Sequence, residues 1–185
     1  MKIATMDTLH EQQLIQAAQM LTDELSLGWP TLAAALGEVQ ELLHSDADGH
    51  MKNQLLAALD GESVIGWGGI LPSYSGRVFE LHPLVVCRGK QRSGVGTTLI
   101  RALEDAARAQ GGLTIYLGAD DEKPEGETSL AGVDLYDDLP RQIHAFQPGT
   151  HVTAFYLKMG YRVIGVMPDA NGVGKPDIFL AKRLL

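Results

Sequence analysis

The sequence predicts a mixed α/β domain whose sheet is mostly antiparallel, and three observations lead there. The apolar period changes from helical to alternating near residue 54, returns to helical near residue 94, and alternates again after residue 160. The first strand candidates follow one another through short turns, as antiparallel neighbours do. The chain of 185 residues is long enough to bury a core as a single domain, residues 1–185.

Lys2 to Thr5 reads as a short strand. Thr8 then stands as a helix cap ahead of Leu14, Ala17, Ala18, Leu21 and Leu25, which recur at helical spacing. Gly28, Trp29 and Pro30 break that helix, and a second one starts near Thr31 with Leu32, Ala35, Leu36, Val39, Leu42 and Leu43 on one face. Ser45 to His50 is polar and turn-like. Gln54 to Leu59 and Val64 to Leu71 are two strands joined at Asp60-Gly61, a tight hairpin signal. A third strand runs from about Arg77 to Cys87 after Ser73, Ser75 and Gly76. From Gly94 to Gln110 a helix turns Val95, Leu99, Leu103, Ala106 and Ala107 inward, and Gly111-Gly112 stops it. Leu113 to Leu117 is a short strand. Residues 119–147 form a long acidic stretch, and a loop of that length inside a compact domain is functional or disordered. Pro148 and Thr150 open another helix through Lys158, ended by Gly160; Tyr161 to Met167 and Asp177 to Lys182 are closing strands. The order is βααβββαβ, loop, αββ.

Composition narrows the function. The formal net charge of -8, with no basic block longer than Arg88 to Arg92, argues against nucleic acid, whose binding rests on cation–phosphate contacts. An acidic surface suits a cationic substrate, and equally serves solubility alone. No apolar run approaches the roughly 20 residues of a membrane span. The N-terminus lacks the apolar stretch of a signal peptide, so a cytoplasmic location is expected. Cys87 is the only cysteine, which rules out an intrachain disulfide or a cysteine-built metal site; no metal is expected. Its small apolar character favours packing over nucleophilic catalysis.

Glu80 to Thr98 carries the chemistry. It reads as strand, basic glycine-containing loop, then helix. Backbone N–H groups and the positive end of the helix dipole make an anion site suited to a pyrophosphate. Gly94 and Gly96 let main chain approach the ligand, and Arg88, Lys90 and Arg92 add charge. The segment reads alternatively as an ordinary glycine-rich connector, since neither GxxxxGK[ST] nor GxGxxG is present. Pro83 lies within an apolar strand, where proline is excluded unless there is a bulge or an edge. A bulge would leave the Leu84 amide aimed at a ligand, where it would polarise a thioester carbonyl. Glu80 and His82 alternate along the strand and share one sheet face.

These residues resemble the GCN5-related N-acetyltransferase (GNAT) superfamily. Gln91-Arg92-Ser93-Gly94-Val95-Gly96 matches its Q/R-x-x-G-x-G/A coenzyme motif, and Phe155 to Tyr161 is similar to its second motif. Trp29-Pro30, Glu80 to Val86, Ile115 to Asp121, Asp134-Leu135-Tyr136, Phe155-Tyr156 and Asp169 to Gly172 with Lys175 to Ile178 are together similar to aminoglycoside 6′-N-acetyltransferases. Most of residues 119–147 lies outside that match. The resemblance implies a GNAT fold, acetyl-CoA as co-substrate, a small cationic aminoglycoside acceptor and a homodimer. It implies coenzyme contacts from Leu84, Val85, Val86, Gln91, Arg92, Ser93, Gly94, Val95, Gly96 and Thr97. Tyr156 would hydrogen-bond or protonate the leaving sulfur. Glu80, assisted by His82, would orient the amine. Trp29, Tyr74, Asp120 and Asp121 are further candidate substrate contacts, each of which reads also as core or surface. The expected activity is acetyl transfer to the 6′-amine with antibiotic resistance as its outcome. A polyamine or protein-amine acetyltransferase and a catalytically silent CoA-binding sensor are the alternatives.

Overall fold

The computed structural model describes residues 1–44, 46–47, 51–123 and 125–185. They divide into two compact units, Met1–Ile115 with Leu184–Leu185, and Tyr116–Arg183. The fold is mixed α/β, and its strands pair mostly antiparallel, as the sequence predicts.

In the first unit, β1 (Lys2–Thr5), β4 (Gln54–Asp60), β5 (Ser63–Ser73) and β6 (Val78–Val86) lie side by side in that order. A positive φ of 61° at Gly61 makes the tight link in which Asp60 pairs with Ser63. The turn expected at Ser45 to His50 lies outside the described residues, except that β2 (Asp46–Ala47) pairs with β3 (Met51–Lys52).

Helix α1 (Glu11–Glu24) is capped by His10 and not by Thr8. Met6–Thr8 forms a 3-10 turn that drives Met6 into the core, and the Thr8 hydroxyl donates to Thr5 O at 2.7 Å. The open helix amides therefore begin after His10, whose ring accepts from Gln13 N while Gln13 Oε1 accepts from His10 N. Helix α2 (Leu32–His44) starts as expected, with Thr31 Oγ1 accepting from Ala34 N at 3.2 Å. The buried Trp67 on β5 donates from its indole to Ala17 O of α1 at 2.9 Å, so burial of a large ring and satisfaction of its one donor coincide.

Helix α3 (Val95–Ala109) closes with Gly112 N donating to Ala107 O and Gly111 N to Arg108 O, both at 2.9 Å, with φ of 85° at Gly111. It packs on the opposite face of the sheet from α1. A Cβ on Gly66 or Gly68 would meet Val95, Leu99 or Leu103 of α3, whereas the intervening Trp67 belongs to the cluster under α1 and α2. Alternate residues of a strand face opposite ways, so this pattern fixes the two helical layers.

The second unit contains most of β7 (Thr114–Asp120), then α4 (Leu139–His144), α5 (Thr153–Lys158), β8 (Arg162–Met167) and β9 (Asp177–Arg183), with β9 between β7 and β8. The acidic stretch, expected to be a loop, is folded through much of its length. Leu130 and Leu135 are buried anchors, and α4 forms where the Asp138 carboxylate accepts from Arg141 N and Pro140 occupies the first turn. Helix α5 begins at Thr153, later than the expected Pro148–Thr150 start. There His151 N donates to Pro148 O, and the Thr150 hydroxyl is committed to Glu127 Oε1.

The pairing of β5 with β6 slips between Gly68 and Ile70, opposite Leu84 and Leu81, so Gly69 faces the His82–Pro83 step, whose peptide is cis. A Cβ on Gly69 would strike Leu55 Cδ2 and stand 2.6 Å from His82 O. The Gly69→Ala variant is therefore expected to lose about 1–3 kcal/mol of stability, read as a lower urea midpoint at unchanged slope.

Candidate active site

The bulge decides which way the residues of β6 point. Leu71 pairs with Glu80 and Trp67 with Val85, and both Leu71 and Trp67 pack in the cluster under α1 and α2. Cross-strand partners share a face, so Glu80, His82 and Val85 lie on the α1/α2 side. Leu84 pairs with Gly68 and lies toward α3. The expected shared face of Glu80 and His82 is present, and the expected bulge at Pro83 is present beside it.

His82 stands in a small cluster that sequence reasoning found only in part. Its Nε2 is 3.5 Å from Glu38 Oε1, and its ring centroid is 5.9 Å from that of Trp29. Trp29 Nε1 donates to Glu38 Oε2 at 3.3 Å. Trp29, placed as a substrate residue from sequence, thus joins His82 through Glu38, which was not anticipated. A signal was available: Glu38 is three residues after Ala35 and four before Leu42, so helical phase puts a carboxylate at the edge of the apolar face of α2. The cluster joins a carboxylate, an imidazole and an aromatic ring, a set suited to holding an ammonium group. Tyr74 is 78% exposed in a turn with φ of 50° and stands apart as a surface residue. Cys87 is half-buried against the core, the packing role expected of it.

The loop between β6 and α3 is fastened on both sides. Glu24 Oε1 accepts from Arg88 N at 2.9 Å, and Glu24 Oε2 accepts from Gln91 Nε2 at 3.3 Å. Gln91 Nε2 also donates to Val86 O at 3.1 Å, and the Ser93 hydroxyl donates to Lys90 O at 2.5 Å. The Lys90 ammonium donates to Asp60 Oδ2 at 2.9 Å; this bond and the opposite charge hold the Asp60 carboxyl below its usual range. The expected cluster of three added cations is thereby reduced. Arg88 lies by Glu24, Lys90 is paired with Asp60, and Arg92 alone has no ion-pair partner among the described residues.

Gly94 caps α3 in the left-handed region at φ of 93°, with no side-chain cap and nothing within 4 Å of where a Cβ would sit. The Val95, Gly96 and Thr97 amides belong to the first turn, ahead of the first intrahelical bond, Thr98 N to Gly94 O. An uncapped helix start, open space before it and a spare guanidinium fit a phosphate-bearing group.

In the second unit, Asp120 is exposed and its Oδ1 accepts from Asn171 Nδ2 at 2.6 Å, while its carbonyl meets His151 Nε2 at 3.0 Å. Glu122 titrates above its usual range, chiefly through desolvation and secondarily through the Asp120 charge. Asp121, expected as a substrate contact, is fully buried. Its carboxylate accepts from Glu127 N at 2.9 Å and Thr128 N at 2.8 Å. Those charge-assisted bonds fasten the acidic loop to the end of β7 and leave the carboxylate no surface to offer. Tyr156 is buried beside Phe155 and Tyr161, with ring centroids 5.3 Å and 5.6 Å away.

Burial raises the Tyr156 pKa well above the usual tyrosine value, because the phenolate loses hydration that the neutral ring does not need. The folded state then keeps this proton at pH values where the unfolded chain releases it. Stability tied to Tyr156 is complete below about pH 10 and falls as pH rises beyond it. The alkaline drop in urea midpoint is expected to be smaller in Tyr156→Phe. An equal drop in both proteins would show that the phenol does not contribute.

Residues 14–125 match the profile of the acetyltransferase (GNAT) family. Among curated proteins, no sequence matches the chain. Among solved structures, an aminoglycoside 6′-N-acetyltransferase complexed with coenzyme A is 34% identical, at a TM-score of 0.87 over 100% of this chain and 98% of that one. The aminoglycoside 6′-N-acetyltransferase from Enterococcus faecium is also 34% identical, with a TM-score of 0.85 and the same coverage. An aminoglycoside 6′-acetyltransferase type Ii is 29% identical, with a TM-score of 0.74.

Proposed function

This chain belongs to the acetyltransferase (GNAT) family, and on that footing we propose that it moves the acetyl group of acetyl-CoA to the 6′-amine of an aminoglycoside. The observation that carries this reading is the segment from β6 to α3. One short stretch presents a carboxylate and an imidazole on one sheet face and then an uncapped helix start with a spare arginine. Whole-length similarity to two aminoglycoside 6′-N-acetyltransferases supports the acceptor class.

In this reading the first-turn amides of α3 and the Arg92 guanidinium bind the pyrophosphate. Acetyl-CoA supplies an acetyl group already activated as a thioester. The Leu84 N–H, next to the bulge, donates to the carbonyl oxygen as charge builds there. Glu80 orients the ammonium form of the acceptor, with His82 held beside it by Glu38, and either group takes the amine proton directly or through water. Transfer is direct, since Cys87 is packed against the core and sits in no nucleophile–base pair in the described structure. For Tyr156 the family resemblance implies a hydrogen bond to the departing sulfur. Antibiotic resistance as the outcome, a homodimer and a cytoplasmic location belong to the same reading.

The deciding assay is acetyl-CoA-dependent thiol release across aminoglycosides bearing either a 6′-amine or a 6′-hydroxyl. Release with the 6′-amine compounds only is expected. Release with neither, while acetyl-CoA still binds, would remove aminoglycosides as acceptors and turn attention to polyamines and protein amines.

Glu80→Ala is expected to lower kcat/KM for the acceptor by on the order of tenfold or more, with little change in acetyl-CoA affinity. Unchanged turnover would take Glu80 out of the mechanism.

A further inference from the structure

Glu24 is the last residue of α1, where the helix dipole presents its negative end, and that turn contains no basic residue. Its side chain is only 13% exposed. A carboxylate shielded from water and set against a helix C-terminus is doubly disfavoured unless other groups compensate. The compensation comes from the loop between β6 and α3, more than sixty residues further along the chain. The Arg88 main-chain N–H and the Gln91 side-chain amide donate to its two oxygens, and Arg88 Nε lies 3.6 Å from Oε2. Gln91 in turn reaches Val86 O at the end of β6, so one amide group ties the strand end to Glu24.

We propose that Glu24 is a positioning residue for the coenzyme loop: it fixes the main chain at Arg88 and the side chain of Gln91. That sets the path along which Arg92 and the first-turn amides of α3 reach the phosphates. The proposal rests on the reading of this loop as the acetyl-CoA site.

Two effects of opposite sign compete at this carboxylate. Its charge opposes a nearby anion, while its hydrogen bonds pre-set the loop that binds that anion. The geometry favours the second effect. The charge of Glu24 is offset locally by Arg88, whereas the main-chain bond to Arg88 N has no substitute among the described residues.

The test is calorimetric titration of the full-length protein with coenzyme A, using Glu24→Ala, Glu24→Gln and Arg88→Ala. Glu24→Ala is expected to raise the Kd for coenzyme A about tenfold, although it removes a negative charge beside an anion site. Arg88→Ala keeps the main-chain donor and loses less. Glu24→Gln keeps an acceptor for Arg88 N but turns an amide toward Gln91, and it falls between the two. In turnover, the Glu24→Ala defect falls on KM for acetyl-CoA and not on KM for the acceptor, a split that general destabilisation would not produce. An unchanged or lower Kd in Glu24→Ala, or in Glu24→Gln should the alanine variant fail to fold, overturns the positioning role alone. Failure of the unaltered protein to bind coenzyme A overturns the acetyl-CoA reading together with it.

Discussion

The slip in register between β5 and β6 is the constraint on which the placement of the first unit's polar residues depends. Two strands pairing without interruption would carry one set of β6 side chains along a single face throughout. With the slip, Glu80 and His82 lie on the α1/α2 side, and beyond it Val85 takes that side while Leu84 crosses toward α3. The polar residues then sit upstream of the step, the buried apolar residue downstream, and the Leu84 amide next to the break. Glycines at positions 66, 68 and 69 make this possible, because the β6 carbonyls of Val85, Pro83 and His82 come too near for a Cβ. Proline at position 83, which would weaken a regular central ladder, is accommodated where the ladder is already broken.

Around that strand the helices supply rigidity and charge. Helix α1 is held to β5 by the indole of Trp67, to the hairpin link by Gln13, which donates to Glu62 O, and to the loop between β6 and α3 by Glu24. Helix α2 brings Glu38 between Trp29 and His82. Much of the formal charge near the loop is cancelled in pairs, so the electrostatics rest on fewer groups than the basic cluster suggests. What stays uncancelled among the described residues is the Arg92 guanidinium and the start of α3, which has no side-chain cap. Exposed pairs such as Lys90–Asp60 add little to stability.

In the second unit the acidic stretch shows how the same residue type serves unlike ends. Asp121 is spent on two main-chain amides, Asp138 caps α4, and Asp134 Oδ1 accepts from Tyr136 N, whereas Asp120 stays exposed with Asn171 as its partner. Adjacent carboxylates at a strand end are indistinguishable in sequence. Alternation along β7 separates them, turning Asp121 inward to a loop that needs an acceptor and leaving Asp120 outside.

The sequence by itself determined the chain order of strands β1 and β4 to β9 and of the helices α1, α2, α3 and α5, the glycine stops and the shared face of Glu80 and His82, and it narrowed Pro83 to a bulge or an edge, because each follows from local period and backbone chemistry. It also made the family resemblance legible, since the coenzyme motif is one contiguous run from Gln91 to Gly96. It did not locate the true cap of α1, because the hydroxyl of Thr8 is diverted by a turn that forms only when Met6 enters the core. Nor did it show α4, whose start signals at Asp138 and Pro140 precede too few residues to display a helical period. Only the tertiary structure decided that Glu38 meets His82, that Glu24 holds Arg88 and Gln91, and that Asp121 is buried. The Glu38 and Glu24 pairings join residues far apart in the chain and are fixed by packing of helices on the sheet, whereas Asp121 is covered by its own loop, which brings the Glu127 and Thr128 amides to it.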